Sequence, residues 1–130
     1  MAANDIPKLS LIIPAYNEAA RLGHTLELAQ AYLARQDYAS EIVVVDDGSS
    51  DTTMKIAQDH AIHPVPVRAS SLGQNLGKGA AVRAGMVEHA RGAYRVFYDA
   101  DASTPIEELA LLWPRFAAGA DVVIGSRSLS

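Results

Sequence analysis

The stretch Arg95-Val-Phe-Tyr-Asp-Ala-Asp-Ala-Ser-Thr-Pro105 decides the fold of this chain. Its apolar run of aromatic and β-branched residues predicts a short buried strand. Two carboxylates, Asp99 and Asp101, come directly after that strand, and a helical pattern begins after the proline. The acid pair is therefore predicted to lie at the carboxyl end of a strand, where ligands bind in open α/β sheets.

The spacing of the two carboxylates points to a metal. Residues two apart on a strand face the same side, so Asp99 and Asp101 are predicted to share one site. Carboxylates this close repel each other unless a cation compensates their charge. Hard oxygen ligands select Mg²⁺ or Mn²⁺, which usually come with a substrate phosphate. The pair predicts a divalent metal held for a diphosphate, although an Asp-x-Asp by itself also fits an ordinary strand-to-helix turn.

The rest of the chain alternates between strand and helix patterns. Strands are predicted at 9–13, 41–46, 96–98 and 121–125, with a short or edge strand within 63–69. Helices are predicted at 19–35, 52–60, 80–90 and 106–118, the last capped by Ser103 or Thr104. Such alternation means parallel pairing through right-handed crossovers. We expect one domain over 1–130, an α/β three-layer α/β/α sandwich with a mostly parallel sheet.

Composition indicates an ordinary globular domain. The chain has 130 residues, of which 49% are hydrophobic and 20% charged, and its formal net charge is -4. A negative net charge argues against general nucleic-acid binding. The absence of cysteine excludes disulfides and thiolate metal sites, and the first residues lack the basic-then-apolar form of a signal peptide. We therefore expect a cytoplasmic protein.

Polar loops follow the predicted strands, which gathers them along one edge of the sheet. The loop Asp46-Asp-Gly-Ser-Ser-Asp51 holds three acids at a strand end. A carboxylate there can accept hydrogen bonds from a ribose hydroxyl or a base imide, and we assign that contact to Asp47. Asp51 is interpreted as a turn residue and helix cap.

The segment Asn75-Leu-Gly-Lys-Gly79 resembles part of a phosphate loop. It lacks the full Gly-x-x-x-x-Gly-Lys-Ser/Thr spacing, so a nucleoside triphosphatase is rejected. Lys78 can still supply positive charge to a diphosphate, while the glycines let the backbone approach closely. The alternative is an exposed loop lysine without a functional role.

Five motifs occur in order and carry a resemblance to a known family. They are Leu-Ile-Ile-Pro-Ala-Tyr-Asn-Glu18, Ile-Val-Val-Val-Asp-Asp-Gly-Ser-Ser-Asp51, Asn-Leu-Gly-Lys-Gly79, Tyr-Asp-Ala-Asp101 and Val-Val-Ile-Gly-Ser-Arg127. Together they resemble the nucleotide-sugar domain of a family 2 inverting glycosyltransferase with the GT-A fold. Within that family the chain looks most like the polyprenyl-phosphate (dolichyl-phosphate) glucosyl- and mannosyltransferases, and the glucosyl branch is preferred.

The resemblance implies a donor pocket. Four residues after the first strand would line the nucleoside pocket: Pro14, Ala15, Tyr16 and Glu18. Asp47 would hydrogen-bond the base, with Asp46 beside it.

The resemblance also implies a metal and an acceptor site. Asp99 and Asp101 would serve the ribose, the Mg²⁺ or Mn²⁺ ion and the diphosphate, with Ser103 as a weaker metal ligand. Arg127 would face the phosphate of the lipid acceptor, and Asp101 and Arg127 would be the catalytic residues.

The implied reaction moves glucose or mannose from UDP-glucose or GDP-mannose to a polyprenyl-phosphate acceptor, with inversion. Because the chain is short for the family, we expect the donor-binding, N-terminal part of a longer catalytic domain whose C-terminal part is missing. The full-length parent is expected at the cytoplasmic membrane face, and a homodimer is expected. Two alternatives remain: a non-catalytic interaction module, and a sugar nucleotidyltransferase, which would want a glycine- and arginine-rich loop after the first strand.

Overall fold

The computed structural model describes residues 6–60, 64–114 and 123–125. The described residues form five strands: β1 Leu9–Ala15, β2 Ser40–Asp46, β3 Val67–Ser71, β4 Tyr94–Tyr98 and β5 Val123–Gly125. They form three α-helices, α1 Leu22–Ala34, α2 Thr53–Asp59 and α3 Lys78–Arg83, together with a π-helical turn Ala84–His89 and a 3₁₀ helix Ile106–Leu112. In this described part, no helix combines the length and apolar character needed to cross a membrane.

The five described strands form one parallel sheet in the order β3-β2-β1-β4-β5. The chain builds outward from β1 to β3, then returns to the other side of β1 and builds outward again. Strand order therefore reverses between β1 and β4, and ligands of open α/β sheets bind at such a reversal. The short or edge strand predicted within 63–69 corresponds to the edge strand β3, but β3 begins at Val67 and continues to Ser71. Residue 63 lies outside the described residues.

Alternating side chains along β1 divide the core into two layers. Leu9, Leu11 and Ile13 pack with α1, α2 and the 3₁₀ helix on one face of the sheet. Ile12 points to the other face and packs with α3 and the π-helical turn. Because successive residues of a strand face opposite sides, both faces are covered. The predicted three-layer α/β/α architecture is confirmed.

Strand β1 runs two residues beyond its predicted end. Pairing with β2 continues to Ala15, whereas the register with β4 runs from Leu9 to Ile12. Pro14, expected to stop the strand, lies within this last part of β1, where a missing N–H matters least because one side is unpaired. Beyond Ile12 and Phe97 the strands β1 and β4 no longer pair, which leaves a crevice between their ends.

The prediction for the helix after Pro105 is wrong in helix type and in its cap. The described segment Ile106–Leu112 is a 3₁₀ helix, and within the described chain neither Ser103 nor Thr104 makes a side-chain capping bond to it. The hydroxyl of Tyr98 donates to the carbonyl of Thr104. The turn before the 3₁₀ helix is closed by Asp101, whose carboxylate accepts the backbone N–H of Ser103. Residues 115–118 of the predicted helix lie outside the described residues.

The helix predicted at 80–90 begins at Lys78 and changes character halfway, because Ala84–His89 is π-helical. Gly85 explains the position of this segment: a Cβ there would lie 2.5 Å from Cγ2 of Ile12. The glycine, which by propensity only weakens a helix, lets the segment lie directly on β1.

A buried carboxylate joins three strands at the amino end of the sheet. Glu41 of β2 accepts hydrogen bonds from the Ser10 hydroxyl of β1 at 2.5 Å, from the Arg68 guanidinium of β3 at 2.7 Å, and from the Arg91 backbone amide at 2.8 Å. Burial alone would raise the pKa of Glu41, but these hydrogen bonds outweigh it and hold that pKa below its ordinary value. The cluster is a structural anchor at the end of the sheet away from the polar loops.

Candidate active site

A cleft of about 580 Å³ lies at the carboxyl edge of the sheet, between the loops that follow β1, β2 and β4. It is lined by Pro14, Ala15, Tyr16, Glu18, Asp47, Asn75, Gly77, Lys78, Ala81, Asp99, Ala100, Asp101 and Ser103. Nine residues predicted from sequence therefore share one cleft, at the reversal of strand order. Of the two other predicted site residues, Asp46 lies outside this lining, and Arg127 lies outside the described residues.

The acid pair reaches the cleft through a turn. Strand β4 ends at Tyr98, so the expectation that strand alternation aligns the two carboxylates is wrong. Instead Ala102 adopts a positive φ of 54°, and the Asp101 carboxylate accepts the backbone N–H of Ser103 at 3.0 Å. This tight turn presents Asp99 and Asp101 to the same cleft.

Helix α1 supports the acidic turn from beneath. The buried hydroxyl of Thr25 donates to the carbonyl of Ala100 at 2.6 Å, between the two acids in sequence. Below the turn, burial and then the negative charges of Glu107 and Asp101 raise the pKa of Tyr98 to about 12. The Tyr98 hydroxyl donates its hydrogen bond to the Thr104 carbonyl.

Each acid of the turn faces a cation. Nζ of Lys78 lies 2.6 Å from the Asp99 carboxylate, and a terminal nitrogen of Arg21 lies 4.0 Å from the Asp101 carboxylate. Arg21 also donates through Nε to Glu18 at 2.9 Å. Sequence reasoning missed Arg21, although its position three residues after Glu18 was a signal for an i,i+3 pair. The negative charge of the turn is thus balanced from both sides.

Asp47 holds the loop that leads into α3. Its carboxylate accepts the backbone amides of Leu76 at 2.7 Å and Gly77 at 2.9 Å, and the Asn75 side chain at 3.1 Å. Gly48 has a φ of 74°, and a Cβ on it would lie 2.6 Å from the Asn75 nitrogen. Asp47 and Gly48 therefore hold this loop in place. The base contact predicted for Asp47 would use the same carboxylate.

Asp46 is buried and does not line the cleft. It is 3% exposed, and its carboxylate accepts the Ser49 amide at 3.2 Å and the Ser71 hydroxyl at 3.3 Å. Its second oxygen has no hydrogen-bond partner among the described residues. These contacts tie the end of β2 to the end of β3, and the substrate-binding role expected for Asp46 beside Asp47 stays a prediction.

Hydrogen bonds join the loops after β1 and β2. The amide of Glu18 donates to the Thr53 hydroxyl at 2.9 Å, and the amide of Ala19 donates to the Asp51 carboxylate at 3.2 Å. Asp51 also accepts the Thr53 amide at 2.9 Å, which fits its interpretation as a turn residue, whereas the N-cap of α2 is Thr52, without a side-chain capping bond within the described residues. The hydrogen bond from the Thr53 hydroxyl lowers the pKa of Asp51. Glu18 is thereby fixed at the cleft, and Tyr16 beside it exposes about half of its surface (48%).

The whole chain from the first strand onward matches one family. Residues 10–130 fit the profile described as glycosyl transferase family 2. The chain belongs to this family. The resemblance carried by the five sequence motifs is confirmed.

Two curated relatives show where in family 2 the similarity lies. A dolichyl-phosphate beta-glucosyltransferase of Trichomonas vaginalis is 36% identical over 129 residues, covering 92% of this chain and 38% of the relative. A prophage bactoprenol glucosyl transferase homolog of Escherichia coli is 34% identical over 121 residues, covering 93% of this chain and 39% of the relative. The chain therefore spans about two fifths of the length of these family 2 relatives.

A solved structure supports the fold. The mannosyltransferase PcManGT of Pyrobaculum calidifontis, in complex with GDP-Man and Mn²⁺, superposes with a TM-score of 0.61 at 32% identity. The match covers 75% of this chain and 28% of that one. The predicted GT-A type of fold is confirmed for this member of family 2.

The donor atoms of the cleft fit a hard divalent ion. Asp99, Asp101 and Ser103 supply two carboxylates and a hydroxyl. Within residues 6–60, 64–114 and 123–125, no three histidine or carboxylate side chains are grouped to hold a metal. Mg²⁺ is typically held by one or two carboxylates plus substrate phosphates and water, so this sparse set suits an ion that binds with a diphosphate.

Proposed function

We propose that this chain is the donor-binding part of a metal-dependent inverting glycosyltransferase. The reaction transfers glucose or mannose from UDP-glucose or GDP-mannose to a polyprenyl-phosphate acceptor. One observation carries the proposal: a single cleft collects an acidic turn, a lysine and the loop after β1 at the reversal of strand order. Glucose is preferred because both relatives described above are named glucosyltransferases.

The nucleoside is proposed to bind beside the loop after β1. Pro14, Ala15, Tyr16 and Glu18 line that side of the cleft, and the half-exposed ring of Tyr16 offers a surface for stacking. Asp47 is within the same lining and would accept the base imide, sharing its carboxylate with the loop amides. The volume of about 580 Å³ falls within the usual range for small-molecule sites.

The diphosphate is proposed to bind beside the acidic turn. Asp99, Asp101 and Ser103 would hold the Mg²⁺ or Mn²⁺, which when bound neutralises the charge that develops on the leaving diphosphate. Lys78 adds a positive charge beside the turn, 2.6 Å from Asp99. A flexible ammonium can turn from a carboxylate to a phosphate oxygen without a change in the backbone.

The acceptor explains why no general base is required. A phosphate monoester is already an anion near neutral pH, so attack on the sugar needs a cationic clamp rather than proton removal. Arg127 is proposed as that clamp, because guanidinium binds phosphate in a bidentate way. Such an acceptor would place the parent protein at the cytoplasmic membrane face. A homodimer remains a prediction, and a monodisperse monomer in light scattering would count against it.

Calorimetric titration of the chain with UDP and with GDP, each with and without Mn²⁺, tests the proposal. We expect one nucleotide to bind in a metal-dependent way, with the affinity lost in Asp101→Ala. Asp59→Ala is the matched control, because Asp59 pairs with Lys55 on the exposed face of α2 at 3.3 Å. No binding of either nucleotide would favour a non-catalytic module, and pyrophosphate release from UTP and a sugar phosphate would favour a nucleotidyltransferase.

A further inference from the structure

Arg21 links the two loops that form opposite walls of the cleft. It immediately precedes α1, and its guanidinium contacts the Glu18 carboxylate through Nε at 2.9 Å and through a terminal nitrogen at 2.5 Å. Its other terminal nitrogen lies 4.0 Å from the Asp101 carboxylate. Glu18 belongs to the loop after β1 and Asp101 to the turn after β4. One side chain therefore spans the crevice at the reversal of strand order.

A residue in the first turn of α1 also contacts the acidic turn. Thr25 follows Arg21 by four residues, so the two lie on the same side of the helix. Thr25 fixes the Ala100 carbonyl at 2.6 Å, and Arg21 faces the neighbouring Asp101 carboxylate. The buried, neutral hydrogen bond from Thr25 holds the backbone of the turn. The exposed, ionic contact with Arg21 balances the charge of the turn. The ionic contact is the one exposed to solvent, so a ligand can reach and replace it.

We propose that Arg21 is a positioning residue that serves as an internal counter-cation for the acidic turn and is exchanged when a divalent ion binds. The inference rests on the proposed function, since it assigns the turn to a metal and a diphosphate. Arg21 keeps Asp101 aligned with Glu18 before the donor arrives. It also competes with the divalent ion for Asp101, so the empty site binds free metal weakly and binds it well with a diphosphate.

The charge balance around the turn gives the expected direction of the effect. Asp99 already faces Lys78 at 2.6 Å, so Arg21 is the second cation on the acid pair. Its removal makes the turn more negative and should strengthen the binding of Mn²⁺ alone. Because Arg21 is 58% and Asp101 37% exposed, solvent screens the attraction, and an effect of about 2- to 5-fold is expected.

The same substitution should have the opposite effect on the nucleotide. Without the guanidinium, Glu18 and Asp101 lose their common partner, and the site loses a positive charge next to a place for a diphosphate. Binding of UDP or GDP at saturating Mn²⁺ should weaken by about 3- to 10-fold, the usual range for one exposed or half-exposed charged contact. Opposite shifts for the metal alone and for the nucleotide separate this role from a merely structural one.

Three variants test the inference: Arg21→Gln removes the charge, Arg21→Lys keeps the charge but not the planar fork, and Lys55→Gln is the control. Lys55 carries the same charge and pairs with Asp59 at 3.3 Å, away from the cleft lining. Mn²⁺ binding is measured by electron paramagnetic resonance without nucleotide, and nucleotide binding by calorimetry at saturating Mn²⁺. Arg21→Gln should shift both, Arg21→Lys only the nucleotide, and Lys55→Gln neither.

The outcomes distinguish the inference from the function on which it rests. If the wild-type chain binds a nucleotide with Mn²⁺ but Arg21→Gln behaves like Lys55→Gln, the role of Arg21 is refuted and the donor site stands. Weaker Mn²⁺ binding in Arg21→Gln than in the wild-type chain, or no Mn²⁺ binding by either protein, also refutes the counter-cation. If the wild-type chain binds Mn²⁺ but no nucleotide, the proposed function fails, and the Mn²⁺ shifts alone decide whether Arg21 balances the turn.

Discussion

The two ends of the parallel sheet both set carboxylates beside cations, but in opposite surroundings. At the amino end Glu41 is 2% exposed and its partners Ser10, Arg68 and the Arg91 amide come from different parts of the chain. At the carboxyl end the Lys78 side chain, paired with Asp99, is 57% exposed. A buried, fully hydrogen-bonded charge is costly to disturb, whereas an exposed ion pair contributes little to stability.

The comparison teaches which carboxylates hold the fold and which are available for chemistry. At the amino end, the buried Glu41 carboxylate is hydrogen-bonded to protein groups instead of water, so its position is fixed. In the cleft, Lys78, Asp99 and Asp101 keep contact with water, so they can change partners when a ligand arrives, whereas Asp47 is buried. Substitutions at each end should therefore separate stability from binding, and the expected effects run from large to small.

Glu41→Gln should give the largest loss of stability. It removes the charge that Arg68 pairs with while keeping the shape of the side chain, and we expect a loss of about 2–4 kcal/mol in the free energy of unfolding. Chemical denaturation measures it, with Glu27→Gln on the exposed face of α1 as the matched control. A difference from the control below about 1 kcal/mol, the worth of one ordinary hydrogen bond, would contradict the anchor role.

Acidification should reduce the difference between Glu41→Gln and the wild type. The pKa of Glu41 is lowered in the folded state, so its stabilisation is complete above the ordinary glutamate pKa of about 4.3 and is lost as pH falls through the lower, folded pKa. Denaturation curves between neutral pH and this acidic range should therefore converge for the two proteins. A gap independent of pH would attribute the effect to packing rather than to charge.

Asp47→Ala should have an intermediate effect on stability and a local one on dynamics. Loss of the acceptor for the Leu76 and Gly77 amides should cost about 1–3 kcal/mol. Hydrogen exchange at these two amides should accelerate more than exchange in the strands. Asp37→Ala, at an exposed position, is the control. Unchanged exchange at both amides would show that Asp47 does not hold the loop.

Lys78→Gln should have the smallest effect on stability. Because its pair with Asp99 is exposed, the free energy of unfolding should change by less than about 0.5 kcal/mol. Nucleotide binding at saturating Mn²⁺ should nevertheless weaken, since a positive charge leaves the cleft. A stability loss above about 1 kcal/mol, more than exposed pairs usually contribute, would break the contrast between the two ends of the sheet.

Sequence reasoning predicted the parts that depend on local pattern. The alternation of apolar strand runs with helical spacing predicted the three layers and the parallel sheet. The order of the five motifs predicted the family. The acid pair, Lys78 and the loop after β1 were correctly expected at one edge of the sheet, because parallel strands end at a common edge. The functional roles of these residues stay predictions until binding is measured.

The misses come from contacts between residues that are distant in sequence. The π-helical turn contains the close approach of Gly85 to Ile12, and no local propensity contains that distance. The cap expected from Ser103 or Thr104 is not formed in the described chain, where Asp101 closes the turn before the 3₁₀ helix. The contact of Arg21 with Asp101 joins residues far apart along the chain, so no spacing rule could have found it.

The hydrogen bonds between the loops after β1 and β2 have a consequence for redesign. Asn17 accepts the Ser50 amide at 2.9 Å and gives its own amide to the Ser49 hydroxyl at 2.8 Å, and the amide of Glu18 donates to Thr53. These hydrogen bonds therefore join the two loops into one structural unit. Grafting either loop from another member of family 2 should require both loops to be exchanged together, since one imported alone would find no complementary partners.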